Sequence, residues 1–307
     1  MSKSLPLPLT IYSTELVLQL LTLSVFFPMY NERDNITVTL ERALDVLPSL
    51  GFADFEILVI DDGSKDDSAQ VVRQAAQREP RIRLVSHPRN LGYGAALRTG
   101  FTSARGDVVF YTDSDLPIDL SEIAQALPLL EDADLVIGYR LRRYDTPRRA
   151  LYSKVYNQLM RLLFGVRVRD VNFSFKLVRR RVLDAIRLSA ATVFIDGQLL
   201  AEAVRGGFRI AEMPIEYTPR RVGVSSFDSL HSAWVTLVEM LRYRFWPASL
   251  ASEQVPPLPQ SAESVAAQLA LPPLPELEVE EELEPEDLLT AVPPRRVEPP
   301  RIPKALS

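Results

Sequence analysis

Residues 107–119 read DVVFYTDSDLPID, and the fold turns on how this stretch is read. Val108 to Tyr111 is a short apolar and aromatic run of the kind that forms a buried strand, and it ends abruptly in Asp113-Ser114-Asp115, with Pro117 shortly after. Two carboxylates thus stand at a strand's C-terminal end. In an open α/β sheet that edge receives ligands, and two carboxylates one residue apart can share a hard divalent cation such as Mg²⁺ or Mn²⁺, which in turn grips a diphosphate. The same three residues also suit a plain turn or helix cap, so their neighbours decide the reading.

Those neighbours repeat the pattern. On the N-terminal side, Leu21 to Phe27 reads as a strand running into Pro28-Met29-Tyr30-Asn31-Glu32, followed by apolar residues at helical spacing from Ile36 to Leu47. Phe55 to Ile60 is a second apolar strand, ending in Asp61-Asp62-Gly63-Ser64 before a helix from about Asp66. Arg81 to Ser86 is a third, and the loop from His87 to Gly94 leads into a helix from about Ala95 to Ala104. Beyond the D-x-D, Leu135 to Gly138 is a fifth. Strand, loop and helix repeated with continuous apolar strands predict a mostly parallel sheet flanked by helices. Glu32, Asp61 with Asp62, and Asp113 with Asp115 would then converge on one edge, a crevice suited to a sugar nucleotide.

Composition sets limits on the rest. The 307 residues contain no cysteine, which excludes disulfides and thiolate metal sites and fits a cytoplasmic location. Net charge is −5, but residues 251–307 hold eleven Asp/Glu against four Lys/Arg and carry −7, leaving +2 elsewhere. That stretch also holds twelve of the 24 prolines and is expected to be a disordered tail, with short Leu-containing patches that suit a protein partner. The expected organisation is an extension over 1–20, an α/β domain over 21–227, an amphipathic C-terminal helix over 228–247, and the tail. No secretory or spanning segment is expected, because the apolar run Leu16 to Tyr30 is interrupted by Gln19, Thr22, Ser24 and Pro28.

The middle of the chain is basic. Between Arg140 and Arg181 thirteen Lys/Arg are opposed only by Asp145 and Asp170. Such a block can face solvent or nucleic acid, but here it is interleaved with Tyr139, Tyr144, Leu151, Tyr152, Tyr156 and Leu159 to Phe164, which suits an anionic membrane surface, and no nucleic-acid partner is expected. Residues 228–246 repeat apolar side chains at helical spacing and fit either a core-packing helix or a membrane-facing one.

Taken together, FPMYNE, VIDDGS, NLGYGAALRTGF, the D-x-D after a strand, DVNFSFKLVRR and EMPIEYTPRRVGVSS resemble the inverting family 2 glycosyltransferases of the GT-A (Rossmann-like) fold, and among them the polyprenyl-phosphate sugar transferases. The resemblance spans roughly residues 20–245. It implies that Pro28, Tyr30, Glu32, Asp61, Ser114 and Ser225 line a nucleotide-sugar pocket, and that Asp113 and Asp115 hold Mg²⁺ or Mn²⁺ and the donor diphosphate. It further implies that Arg140 and Arg220 lie near the donor and acceptor phosphates; Arg148 or Arg149 of the basic block is expected to join them on the phosphate of a polyprenyl or dolichyl carrier, with the enzyme expected to be peripheral at the inner face of the membrane. Two positions depart from the family pattern, Pro117 and Ser226, where a polar residue and a lysine are usual. Asp196, in FIDGQLL, is expected to cap a helix, and neither His87 nor His231 receives a catalytic role. Two other readings stay open: transfer to a soluble or polymeric hydroxyl acceptor, and a non-catalytic sugar-nucleotide-binding scaffold.

Overall fold

The computed structural model describes residues 18–142, 147–217 and 230–246. The expected tail, Arg220, Ser225 and Ser226 lie outside the described residues, as does most of the expected N-terminal extension. The chain divides into two units, Met1–Pro256 and Pro257–Ser307, and every described residue belongs to the first.

Seven strands form one sheet: β1 (Thr22–Met29), β2 (Asp54–Asp61), β3 (Ile82–Ser86), β4 (Val108–Tyr111), β5 (Leu135–Arg140), β6 (Lys176–Arg179) and β7 (Ile210–Ile215). Their order across the sheet is β3-β2-β1-β4-β6-β5-β7. All neighbours pair in parallel except β6, which runs antiparallel to both β4 and β5. The five strands expected from the sequence are present within a residue or two, while β6 and β7 complete the sheet beyond them.

Helices cover both faces: α1 (Arg33–Val46), α2 (Ser68–Arg78), α3 (Tyr93–Ser103), α4 (Glu122–Ala126), α5 (Pro147–Phe164), α6 (Arg180–Ala185), α7 (Phe194–Arg205) and α8 (Leu230–Phe245). This is why β1 has no polar face to show. Leu23, Val25, Phe27 and Met29 enter one core with Ile36, Leu40 and Ala43 of α1. Phe26 enters the other, with Leu97 and Phe101 of α3 and Phe194 and Leu199 of α7. Period-2 alternation thus persists in a strand buried on both faces, with each side serving a different core.

Close packing here depends on small residues. A Cβ at Gly100 of α3 would come within 2.2 Å of the Phe26 ring, which itself stacks on Tyr111 at 5.3 Å and meets Phe101 edge-on at 5.0 Å. The helix therefore lies close on the sheet only because that position has no side chain. At the C-terminal side, α8 packs on α5 and α7 through Met240, Leu237 and Tyr243, whose ring lies 5.4 Å from Phe194.

Candidate active site

Parallel pairing brings the acidic strand ends together. Met29 of β1 lies opposite Asp61 of β2, and Phe26 of β1 opposite Tyr111 of β4, so that Pro28 and Asp113 follow two residues later on neighbouring strands. The first two loops are laced to each other. Asn31, in the left-handed region at φ 56°, donates its N–H to Ser64 Oγ at 3.0 Å and accepts from the Lys65 N–H at 2.8 Å. Glu32 precedes α1, donates its N–H to Ser68 Oγ at 3.0 Å, and accepts from Asn35 Nδ2 at 2.6 Å. Tyr30 stands partly exposed beside them.

Asp61 and Asp62 look equivalent in sequence and are not equivalent in space. Asp61 accepts the Ser64 N–H at 2.9 Å and so shapes its own turn. Asp62 turns the other way and holds the loop leading to α3: it accepts the Leu91 N–H at 2.8 Å and the Gly92 N–H at 2.9 Å, and its Oδ1 lies 2.7 Å from His87 Nδ1. His87 Nε2 in turn pairs with Thr99 Oγ1 at 2.9 Å. Gly63, at φ +70°, is required between them, since a Cβ would fall 2.4 Å from the Arg89 carbonyl carbon.

The third acidic end is built differently. Asp113 to Leu116 form a tight turn, closed by Leu116 N–H to Asp113 O at 3.2 Å, with Leu116 at φ 45°. Thr39 of α1 donates to the Ser114 carbonyl at 2.6 Å, and Ser114 is itself buried, so it fixes the turn from inside while Asp113 and Asp115 remain only half-buried.

Behind Asp113 runs a buried polar chain that sequence reasoning did not find. The Tyr93 hydroxyl is hydrogen-bonded to both Asp113 and Tyr111. The Tyr111 hydroxyl donates to Asp196 Oδ1. Lys176 Nζ lies 2.7 Å from Asp196 Oδ1, 3.1 Å from the Tyr111 hydroxyl and 2.8 Å from the Phe173 carbonyl, with Lys176 at 0% and Asp196 at 2% exposure. Burial, and next the Asp196 charge, push both the Tyr93 and the Tyr111 phenols well above their usual range, so each stays protonated. Asp196 is thus no helix cap: it sits in the first turn of α7 but makes no capping bond, and its carboxylate neutralises Lys176 instead. The available signal was Lys176 itself, a charge set in the apolar run Phe173 to Val178.

The basic residues lie on the other half of the sheet. Arg140, at the end of β5, makes a two-point contact with Asp170, Nε to Oδ2 at 2.8 Å and Nη2 to Oδ1 at 3.3 Å, and its guanidinium rests near the Phe173 and Tyr217 rings. Asp170 is 1% exposed, so the charge expected to meet a phosphate is here matched by an internal carboxylate. Arg148 donates to the Tyr152 hydroxyl at 2.9 Å on the outer surface of α5, and Arg149 is half-buried beside it.

The donor set suits a hard cation of modest coordination demand. Among the described residues no three Asp, Glu, His or Cys side chains cluster, and the β4 turn offers the two carboxylates of Asp113 and Asp115. Mg²⁺ and Mn²⁺ fit such a site, because they are held by one or two carboxylates together with substrate phosphates and water.

Comparison with known proteins bears on this arrangement. The family model described as Glycosyl transferase family 2 matches residues 24–187. The chain is 34% identical over 206 residues to the glycosyltransferase AglD of Haloferax volcanii, covering 64% of this chain and 33% of that protein. It is 36% identical over 166 residues to the undecaprenyl-phosphate 4-deoxy-4-formamido-L-arabinose transferase of Pseudomonas savastanoi, covering 53% and 49%. It is 33% identical over 219 residues to the polyprenol monophosphomannose synthase of Mycolicibacterium smegmatis, covering 66% and 80%. The chain therefore spans a third to four-fifths of these relatives. Among solved structures, glucosyl-3-phosphoglycerate synthase from Mycobacterium tuberculosis in complex with Mn²⁺ and UDP shares the fold, with a TM-score of 0.58 at 22% identity over 79% of this chain and 86% of that one.

Proposed function

Because the chain belongs to glycosyl transferase family 2, we propose that it moves a sugar from a UDP- or GDP-sugar to a polyprenyl phosphate at a membrane surface, with inversion at the anomeric carbon. The observation that carries this reading is the division of one sheet edge into an acidic turn, Asp113-Ser114-Asp115, and a basic, aromatic half built on β5 and α5. Relatives named for undecaprenyl phosphate and polyprenol monophosphomannose support the acceptor class.

Asp113 and Asp115 would hold Mg²⁺ or Mn²⁺, which when bound supplies positive charge to the departing nucleoside diphosphate. The protein's own part is positioning. Tyr93 fixes one Asp113 oxygen, the Thr39 bond fixes the turn, and the loops at Tyr30, Glu32 and Asp61 wall the nucleotide side. A phosphomonoester acceptor has a second pKa of about 6, so it arrives ionised and needs no strong general base. Arg148, Arg149 and Arg220 orient it for direct displacement, while Arg140, paired to Asp170, sets the shape of the acceptor side.

Association with the bilayer is peripheral in this reading, at its cytoplasmic face. Among the described residues no helix is long and apolar enough to cross a membrane. Yet Leu151 and Leu162 of α5 are 58% and 75% exposed, and Trp234, Phe245 and Trp246 at α8 are exposed as well. Amphipathic side chains of this kind lie at a bilayer interface.

The test is a transfer assay with purified protein, Mn²⁺ or Mg²⁺, radiolabelled UDP- and GDP-sugars, and polyprenyl phosphate in liposomes. Metal-dependent label in the lipid phase is expected and names the donor. Release of nucleotide with unlabelled lipid would move the reaction to a hydroxyl acceptor, and donor binding with neither release nor transfer would leave a non-catalytic sugar-nucleotide-binding scaffold.

A further inference from the structure

A second cationic site lies on the flank of α5. Lys154, Asn157 and Arg161 share one side of the helix, at spacings of three and four, and with Arg167, Arg169 and Glu212 they line a cleft of about 620 Å³. Its wall is fixed. Asn157 Nδ2 donates to the Arg169 carbonyl at 2.7 Å and its Oδ1 accepts the Val171 N–H at 3.3 Å, while Glu212 of β7 accepts the Arg169 N–H at 2.7 Å. The Arg169 guanidinium lies 4.4 Å from the centre of the Tyr139 ring. Four positive charges thus surround one carboxylate already bonded to backbone, and Lys154, Arg161 and Arg167 have no acidic partner among the described residues.

The adjoining surface says what kind of anion belongs there. Leu151, Val155 and Leu162 follow the cleft positions 150, 154 and 161 by one residue each, about 100° further round the helix. An exposed apolar stripe therefore runs alongside the cationic one. The opposite side, Tyr156, Leu159, Met160 and Leu163, packs into the core. A free phosphate needs only the cations, whereas a phospholipid presents a phosphodiester beside acyl chains and matches both stripes.

We infer that this cleft binds the head-group phosphate of an anionic phospholipid, with Leu151, Val155 and Leu162 entering the acyl boundary beside it. It is separate from the acceptor phosphate. Asp170, next in sequence to Arg169, turns inward to Arg140, while Arg169 lines the cleft. The inference rests on the membrane-surface part of the reading above.

Docking is read apart from turnover by sedimenting full-length Asp115→Ala protein with vesicles of phosphatidylcholine, with or without phosphatidylglycerol. Binding to the anionic vesicles is expected, and Arg161→Gln/Arg167→Gln should weaken it on the order of twentyfold, at roughly fivefold per basic residue near such a surface. Arg73→Gln/Arg78→Gln on α2, exposed and at the other end of the sheet, removes equal charge and should leave binding close to the parent value. Equal loss in both double variants, or equal binding to neutral vesicles, overturns the assignment. Binding of inorganic phosphate by the vesicle-free protein, lost in Arg161→Gln/Arg167→Gln, with no gain from phosphatidylglycerol in the vesicles makes free phosphate the ligand and also overturns it. Failure of docking with transfer intact in the native chain would contradict the cleft alone.

Discussion

Two acidic strand ends flank β1 on this sheet, and the turns that carry them are held in different ways. At the end of β2, Asp62 is consumed by the protein itself, with two backbone N–H groups and His87 gathered on its oxygens. At the end of β4, the turn that carries Asp113 and Asp115 is closed through main-chain acceptors, by Thr39 to the Ser114 carbonyl and by Leu116 to the Asp113 carbonyl, while the Asp113 carboxylate meets the Tyr93 hydroxyl. Chemical identity does not separate a structural carboxylate from a reactive one.

Asp115→Ala should lower transfer by about 10³-fold or more, comparable to removing a principal electrostatic stabiliser, and leave the melting temperature within a degree or two. Steady-state kinetics beside differential scanning fluorimetry checks both halves. A stability loss as large as the activity loss would erase the distinction.

Lys176→Met lies between the two cases, since it strands Asp196 in the core and loosens the Tyr111–Tyr93 support of Asp113. A loss of about 3–5 kcal/mol in urea unfolding is expected, largely regained in Lys176→Met/Asp196→Leu. The regained fold should remain slow in transfer, because Tyr93 and Tyr111 have lost their charged anchor. Full recovery of rate would show the chain to be structural only.

Asp62→Ala should cost about 3 kcal/mol, because three donors lose their buried acceptor, while activity per folded molecule stays within a few-fold. Urea denaturation and active-site-normalised rates measure the two. Loss of activity without loss of stability would place Asp62 with Asp115.

The smallest effect is at the opposite edge of the sheet. The Thr22 N–H and then its hydroxyl hold the Asp107 carboxyl below the usual carboxylate range. Its folded pKa is depressed, so its contribution is present in full above the ordinary value of about 3.9 and is lost as pH falls through the folded one. Asp107→Asn should therefore lower stability at pH 6 and converge with the parent in strong acid, with no change in transfer rate at neutral pH.

The half of the sheet that carries the acidic ends was legible in the sequence because each strand there is a continuous apolar run stopped by polar residues. β6 was not, because its four residues, KLVR, carry no direction, and running antiparallel is decided by the chain on either side. The D-x-D turn was also legible, since strand and turn are local. The two aspartates at β2 could not be told apart, because the partners of Asp62 arrive 25 to 30 residues later. The pairing of Arg140 with Asp170, 30 residues on, was hidden for the same reason. Charges that find each other across the fold leave no spacing to read.

The most direct test measures Mn²⁺-dependent transfer of labelled sugar to polyprenyl phosphate, per folded molecule, for Asp62→Ala and Asp115→Ala in one experiment. Near-parental transfer by the first and none by the second is the predicted result. Label in the lipid phase from Asp115→Ala at the parental rate would contradict it, because the β4 turn would then hold nothing that the reaction needs.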